Sequence, residues 1–388
     1  MPYTFLMSRI GQYITQIIAG ESYQAYVPAT LPPTPPIALE SLSPLLEKAA
    51  AALAELNQAS KSIPNTSLFL YMYVYKEALL SSQIEGTQSS LSDLVLFENN
   101  QTPLTSLEDV EEVSNYVKAM RYGLKRLDSG FPLSMRLLRE IHAILLSGTR
   151  GKLKLPGEFR TTQNWIGGSR PGNALFVPPP VEHLPQCLTN LENFLHTENI
   201  SVLIKAAMAH LQFESIHPFL DGNGRLGRLL ITLLLVNSGL LNEPILYLSL
   251  YLKKNRSTYY NLLQEVRTHG TWETWIEFFL TGILETSKQA NSTITAINEL
   301  FQSDIKKINA LGRAKPSCLA VFNYLQKLPQ ISVPSITNAL NLSAPAARNA
   351  INHLLQAGIL KEISGKKRDK VYVYKRYFQL LEYGTEPL

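Results

Sequence analysis

The sequence predicts a mainly helical chain, broken by one small β-hairpin and closed by a compact C-terminal module. Three observations carry that prediction. Apolar residues return at helix spacing through most of the chain between Leu45 and Leu311. One stretch, Phe159 to Val177, drops that spacing for short extended runs around Gly167-Gly168 and stops at Pro178-Pro179-Pro180. After Arg313 the pattern shortens into three helices followed by two extended runs.

Taken in order, the residues up to Glu40 are proline-rich, with Pro28, Pro32, Pro33, Pro35 and Pro36. Proline sets φ and removes a donor, so this stretch is expected to run extended over the surface. Ala49, Leu53 and Leu56 then open the first helix, and amphipathic patterns cover 66–85, 107–127, 134–147, 183–197, 226–240, 257–268, 272–286 and 293–311. Leu203, Ala206, Ala207, His210, Leu211 and Glu214 mark one more helix, and Gly312 stops the last of them. In the C-terminal module the helices are Ser317–Lys327, Pro334–Leu340 and Pro345–Ala357, the last closed by Gly358. Extended runs at Ile359–Ile363 and Val371–Tyr374 flank a basic Ser-Gly-Lys-Lys-Arg-Asp-Lys turn, an order that resembles a winged helix-turn-helix. The expected divisions are an extended and helical region over 1–105, a helical body over 106–290, a helical linker over 291–312 and the module over 313–388.

Composition narrows the class. With 388 residues, 45% hydrophobic and 17% charged, the chain is globular rather than disordered and long enough for two to three cores. Thirty-six basic and 31 acidic residues leave a net charge of +5. Between Lys361 and Arg376 seven basic residues face only Glu362 and Asp369, so this short segment holds the whole surplus. Cys187 and Cys318 stand far apart with no metal-ligand spacing, which points to a reducing, cytoplasmic setting. No signal segment is expected at the start, and the longest apolar run, Leu229 to Val236, is too short to span a membrane.

The chemistry concentrates in Glu214-Ser-Ile-His217-Pro-Phe219-Leu-Asp221-Gly222-Asn223-Gly224-Arg225-Leu-Gly227-Arg228. One helix ends before it and an apolar helix begins inside it, so free backbone N–H groups form an anion cradle. Arg225 and Arg228 can fork onto phosphate oxygens, and Asp221 offers the hard oxygen that magnesium prefers. His217 can take a proton near neutral pH. Together these are the requirements of phosphoryl chemistry. Gly222-x-Gly224-x-x-Gly227 also matches a dinucleotide fingerprint, with Glu243 about 20 residues on, but that motif must follow a strand, and Val202 to Glu214 has helix periodicity. Asp221-x-Asn223-Gly fits a calcium loop poorly, because Thr232 stands where the closing acid belongs.

His217-Pro-Phe-Leu-Asp-Gly-Asn-Gly-Arg-Leu-Gly-Arg228 resembles the HxFx[D/E]GNGRxxR signature of the Fic family at every fixed position. Gly157-Glu-Phe-Arg160 to Pro180 resembles that family's flap, and the likeness runs over roughly residues 65–285. The resemblance implies a helical Fic fold with a small hairpin flap, and an adenylyltransferase that moves AMP from ATP to a hydroxyl of a target protein. On that reading His217 is the base that deprotonates the target Ser, Thr or Tyr, and Asp221 holds Mg2+ between the α- and β-phosphates. Asn223 with the backbone of Gly222 and Gly224 cradles phosphates, Arg225 and Arg228 hold the β- and γ-phosphates, and Phe219 anchors the loop. Asn261 is a further candidate for the nucleoside. Thr161, Trp165, Ile166 and Gly167 belong to the flap, where a target segment adds as a strand with its hydroxyl toward His217.

Ser81-Ser-Gln-Ile-Glu85-Gly86 resembles the family's [S/T]xxxE[G/N] inhibitory motif, placed before the active site. On a helix Ser81 and Glu85 share a face. Glu85 would then bind Arg228 and deny the γ-phosphate its partner, and breaking one side of a buried charge pair typically costs about 3–5 kcal/mol. The expected partners are a target protein, the chain itself by automodification, and a second copy in a homodimer, with Glu85 acting within one chain or across the pair. Two other readings stay open. The same site could hydrolyse AMP from a modified target with Glu85 positioning water. Alternatively, the body senses nucleotide and the C-terminal module binds DNA or protein, with Arg348, Asn349, Asn352 and His353 on its third helix and Lys366–Lys370 on its wing.

Overall fold

The computed structural model describes residues 9–18, 20–61, 66–98, 103, 105–148, 152–365, 368 and 370–387, so the wing residues Lys366, Lys367 and Asp369 lie outside it. The described residues form two compact units, each assembled from three separate stretches of chain. One gathers residues 1–54, 115–242 and 251–286; the other gathers 55–114, 243–250 and 287–388.

The first unit opens with a hairpin that the sequence reading missed: β1 (Gln12–Ile18) pairs antiparallel with β2 (Glu21–Val27), from Gln12↔Val27 to Ile18↔Glu21. Residues such as Ile14, Thr15, Ile17, Tyr23 and Tyr26 favour a pleated surface, while the prolines that dominated the reading all lie downstream. On β2, Tyr23 and Ala25 are buried with Val177, and the Tyr26 N–H donates to the Val177 carbonyl at 2.9 Å. The proline-rich stretch that follows is without regular structure, as expected. Helix α1 (Ser43–Ser60) comes next.

At the centre of this unit lies α7 (Val202–Ile216), with 13 of its 15 residues buried. An apolar helix without a polar stripe belongs inside a core, and this one is surrounded. It packs closely against α8 (Asn223–Asn237) because Gly227 leaves room: a Cβ there would stand 2.6 Å from Glu214 Oε1 and 3.2 Å from Phe213 Cδ1. Trp275, on α11 (Trp272–Asn309), donates to the Ala207 carbonyl at 2.9 Å, and His210 meets the Tyr259 hydroxyl of α10 (Arg256–His269) at 2.8 Å. Burial holds the His210 imidazole down at about 3, so it is neutral. Helix α5 (Met135–Leu145) is capped by Ser134, and α6 (Leu184–Leu195) follows the flap.

In the second unit, α2 (Thr66–Ile84) and α3 (Leu91–Glu98) lead into α4 (Leu107–Asp128). Glu77 of α2 is buried and accepts from the backbone N–H of Ser249 at 3.1 Å and its hydroxyl at 2.5 Å, at the start of α9 (Ser249–Lys254). Residues 291–309, read from sequence as part of a separate linker, simply continue α11. No glycine or proline separates the two expected helices, and Ala290, Ile294 and Ile297 carry the buried face across the junction.

The C-terminal segment runs α12 (Lys315–Lys327), β3 (Gln330–Ser332), α13 (Val333–Leu340), α14 (Ala344–Gln356), β4 (Lys361–Glu362), β5 (Val371–Val373) and α15 (Lys375–Glu382). The expected helices are present, and the ribbon gains a third strand: β5 lies between β3 and β4, antiparallel to both. Buried Asp304 of α11 accepts from the Tyr374 hydroxyl at 2.7 Å and pairs with Lys307 at 2.5 Å. No described helix is long and apolar enough to cross a membrane.

Candidate active site

The loop between α7 and α8 is built by residues that end one helix and start another. His217 caps α7 in the left-handed region, at φ +48°, while its N–H still reaches the Phe213 carbonyl at 2.9 Å. That conformation turns the chain sharply out of the helix, and Pro218 keeps it out. Phe219 is wholly buried, its ring stacked 3.7 Å from that of His142. Gly222 takes φ +75° at the N-cap of α8. Asn223 closes the loop on itself, accepting from the Phe219 N–H and donating to its carbonyl, both at 2.9 Å. The amide thus braces the loop, and the second hydrogen of its NH2 group is not used in that bond.

Asn223 and Gly224 head the first turn of α8, where N–H groups have no intrahelical acceptor and the helix dipole favours an anion. Arg225 and Arg228 follow, 5% and 1% exposed. Removed from water, these guanidinium groups attract an anion more strongly than surface arginines do. Asp221 is the exposed member: its Oδ1 accepts from the Gly222 N–H at 2.6 Å and lies 3.5 Å from Arg225. Among the described residues no cluster of three or more His, Cys, Asp or Glu could cage a metal. One half-exposed carboxylate beside an anion cradle suits magnesium, which binds through one or two carboxylates plus substrate phosphates and water. The helix α7 ahead of the glycines excludes the strand-dependent dinucleotide fingerprint.

Two side chains outside the motif tie the flap to this loop. Arg160 is 1% exposed, and its guanidinium donates to the carbonyls of His217 at 3.0 Å and Pro179 at 2.5 Å, while its N–H donates to Pro218 at 2.9 Å. Burial lowers its pKa to about 10, still cationic at neutral pH. His142 on α5 was missed, because a histidine within an apolar helix stripe looks like core. Its Nδ1 accepts from the Gly157 N–H at 2.9 Å, so its Nε2 carries the proton and donates to the Asp221 carbonyl at 2.9 Å. Burial holds it down at about 4.

The flap is looser than the hairpin expected from sequence. A single bridge joins Ile166 to Phe176, and one helical turn, Pro171–Asn173, fills its tip. Gly167 and Gly168, at φ +69° and +70°, and the Asn173 carboxamide, which accepts from Ser169 and Arg170 at 3.0 Å, replace ladder pairing with a tight turn. Among the described residues nothing accepts from the backbone N–H groups of Thr161 to Trp165. Asn164 donates to the Phe219 carbonyl at 2.9 Å, holding that free edge against the loop. Behind the start of the flap, Met135, Phe159, Val181, Leu184 and Leu188 line a cleft of about 440 Å³.

The remaining expected site residues come from other elements. Asn261 is exposed on α10, and no described hydrogen bond joins it to the loop. Ser81 is buried on α2, which ends at Ile84, and Glu85 follows as the first residue past the helix. Glu85 and Gly86 form a turn, their N–H groups donating to Ser82 and Gln83 at 3.0 Å, with Gly86 at φ +105°.

Residues 43–125 match the N-terminal domain of the Fic/DOC family, and residues 132–235 match the Fic/DOC family domain itself. This chain belongs to the Fic/DOC family. The Fic domain so matched contains the whole loop from His217 to Arg228, the flap and both of its ties. Curated relatives include the protein adenylyltransferase Fic of Drosophila grimshawi, 30% identical over 221 residues, and that of Drosophila erecta, 29% identical over 231. Those alignments cover 56% and 58% of this chain, and the chain spans only 41% and 42% of the Drosophila proteins. A probable protein adenylyltransferase of Aquifex aeolicus is 28% identical over 198 residues, 51% of this chain and 56% of that protein. A crystal structure of a Fic family protein from Desulfovibrio desulfuricans shares the fold with TM-score 0.55 at 20% identity, covering 85% of this chain and 95% of that one.

Proposed function

We propose that this chain is a self-inhibited protein adenylyltransferase that moves AMP from ATP to a Ser, Thr or Tyr hydroxyl of a target protein. The observation that carries it is the start of α8, where an anion cradle and two buried arginines adjoin His217. The names of the curated relatives favour the same chemistry. In the step, His217 takes the proton of the target hydroxyl as its oxygen bonds to the α-phosphorus. The bond from that phosphorus to the bridging oxygen breaks, and pyrophosphate leaves with the electron pair. Arg225 and Arg228 neutralise the departing phosphates and the N–H groups of Asn223 and Gly224 orient them. Asp221 would hold Mg2+, which would supply charge neutralisation for the pyrophosphate. The leaving group needs no acid, so one base is sufficient. The flap edge from Thr161 to Trp165 offers backbone donors to an extended target segment, or to a segment of the chain itself.

The inhibitory part rests on Ser81-x-x-x-Glu85-Gly86 occurring with a complete loop motif. Glu85 engages Arg228, from the same chain or from a second copy, and leaves ATP without its γ-phosphate partner. Incubation with Mg·ATP followed by intact-mass analysis tests both claims. Glu85→Gly gains the mass of AMP and the unmodified chain gains little, whereas His217→Ala loses transfer by about 10²–10⁴-fold. Equal incorporation by Glu85→Gly with and without His217→Ala would sink the assignment. If Glu85→Gly instead strips AMP from a modified target more slowly than the parent, the hydrolytic direction is the working one. Buried, unbridged Cys187 and Cys318 accord with a cytoplasmic setting.

A second reading, of the C-terminal segment as a winged helix that binds DNA, is favoured by one observation. On α14 the alanines face the core, with Ala347 and Ala350 wholly buried, leaving Arg348, Asn349 and Asn352 exposed. Those are side chains that read base edges and phosphates.

A further inference from the structure

We propose that His142 is a positioning residue that couples the flap to the nucleotide loop, so that target docking and nucleotide binding act on each other through one imidazole. The inference rests on the adenylyltransferase reading for what the two ends do, and on geometry for their connection. Each ring nitrogen is committed: Nδ1 to the Gly157 N–H and Nε2 to the Asp221 carbonyl, both at 2.9 Å. A protonated ring would have two donors and no acceptor for Gly157, so the bridge exists only for neutral imidazole with its proton on Nε2.

The surroundings leave the ring no other pose. One face stacks on Phe219 at 3.7 Å with 17° between the planes. Gly157 lies so close to α5 that a Cβ would stand 3.1 Å from the Ala143 Cβ and 3.2 Å from the Arg139 carbonyl, at φ +81°. Three residues before His142, Arg139 holds the Gly157 carbonyl at 2.7 Å and pairs with Glu158. One face of α5 therefore grips both the N–H and the C=O of the residue from which the flap departs. On the other side, Gly222 follows Asp221 with no room to spare, its Cβ direction meeting Leu146 at 3.3 Å and His142 Nε2 at 3.5 Å. A shift of the carboxylate backbone thus moves the ring, and the ring moves the root of the flap.

Replacements can cut the two bonds separately. The amide oxygen of His142→Asn reaches the place of Nδ1 and keeps Gly157 alone. The amide nitrogen of His142→Gln reaches the place of Nε2 and keeps Asp221 alone. His142→Phe keeps the stack and loses both. Amide exchange at Gly157 and along 158–166 is read with and without Mg·ATP, alongside KM for Mg·ATP and for an unstructured Ser/Thr/Tyr peptide as target, the constants taken in the Glu85→Gly background. In the parent, Mg·ATP slows exchange in the flap. His142→Phe speeds exchange at Gly157 about five- to tenfold, as loss of one hydrogen bond implies, and Mg·ATP no longer slows it. His142→Asn restores protection at Gly157 and the KM for target but not that for Mg·ATP; His142→Gln does the reverse. A purely structural histidine would move both constants together in all three variants, or neither, and either result overturns the proposal. Exchange needs no turnover, so a Glu85→Gly chain without AMP transfer but with this exchange pattern removes the adenylyltransferase reading and leaves the coupling intact.

Discussion

Gly227 and His210 show how closely α7 and α8 are fitted at the level of single atoms. A methyl group at 227 would gain helix propensity but meet the carboxylate oxygen of Glu214 at 2.6 Å, and Glu214 is 6% exposed and cannot swing into water. Gly227→Ala should therefore destabilise by about 1–3 kcal/mol, the usual cost of overpacking, read as a lower urea midpoint at unchanged slope. His210 carries a pH prediction. Its folded pKa is about 3, against an ordinary 6.5. Between those values the unfolded chain binds a proton that the folded chain refuses. The stability present above pH 6.5 is therefore lost as the pH falls, by about 1.4 kcal/mol per pH unit for this group. His210→Gln should flatten the parent's dependence by that amount between pH 6 and 4, and parallel curves would show that the ring titrates freely. Single residues were also where the sequence was hardest to read. The glycines and arginines of the loop stood out because they cluster, whereas His142 lies alone among Ile141, Ala143 and Leu145 and gains meaning only from what lies across from it in space.

At the scale of elements, periodicity located nearly every helix of the body, since an amphipathic stripe is written directly into the chain. It failed where the deciding information is elsewhere. The hairpin of β1 and β2 is stabilised by partners such as Val177 some 150 positions away. The flap kept its place but lost its ladder to two left-handed glycines. The apparent gap in α11 is a polar patch without a breaker, in which Ser287 and Ala290 stay buried. Ser292 sits in that patch and is exposed. Ser292→Pro should cost about 3 kcal/mol, as proline does inside a helix, read by thermal melting. A linker would accept the same change with no shift.

For the molecule as a whole, the charge has an address. The surplus lies at the last strands and their turn, while the loop of the active site pairs Arg225 with Asp221 and buries Arg228. A winged-helix reader predicts duplex binding that weakens steeply between about 50 and 200 mM salt, and Arg368→Glu with Lys370→Glu should lower both the affinity and the slope. Binding indifferent to salt, or absent, leaves protein as the partner of this segment. Compactness also cuts across chain order, since residues 55–114 belong to the same unit as the C-terminal segment.

The flap edge has one more implication. Its rear border is closed, because the Val177 carbonyl already receives Tyr26. The front border, Thr161-Thr162-Gln163-Asn164-Trp165, contains no lysine, no proline and no acid to repel a visitor. Docking of a target there, as proposed, would favour a short extended segment, because a folded helix or a buried strand has already paired its own backbone. Targets would then be sorted by local disorder before any side chain is inspected, and the same open N–H groups would be the first place for concentrated copies of the protein to adhere to one another.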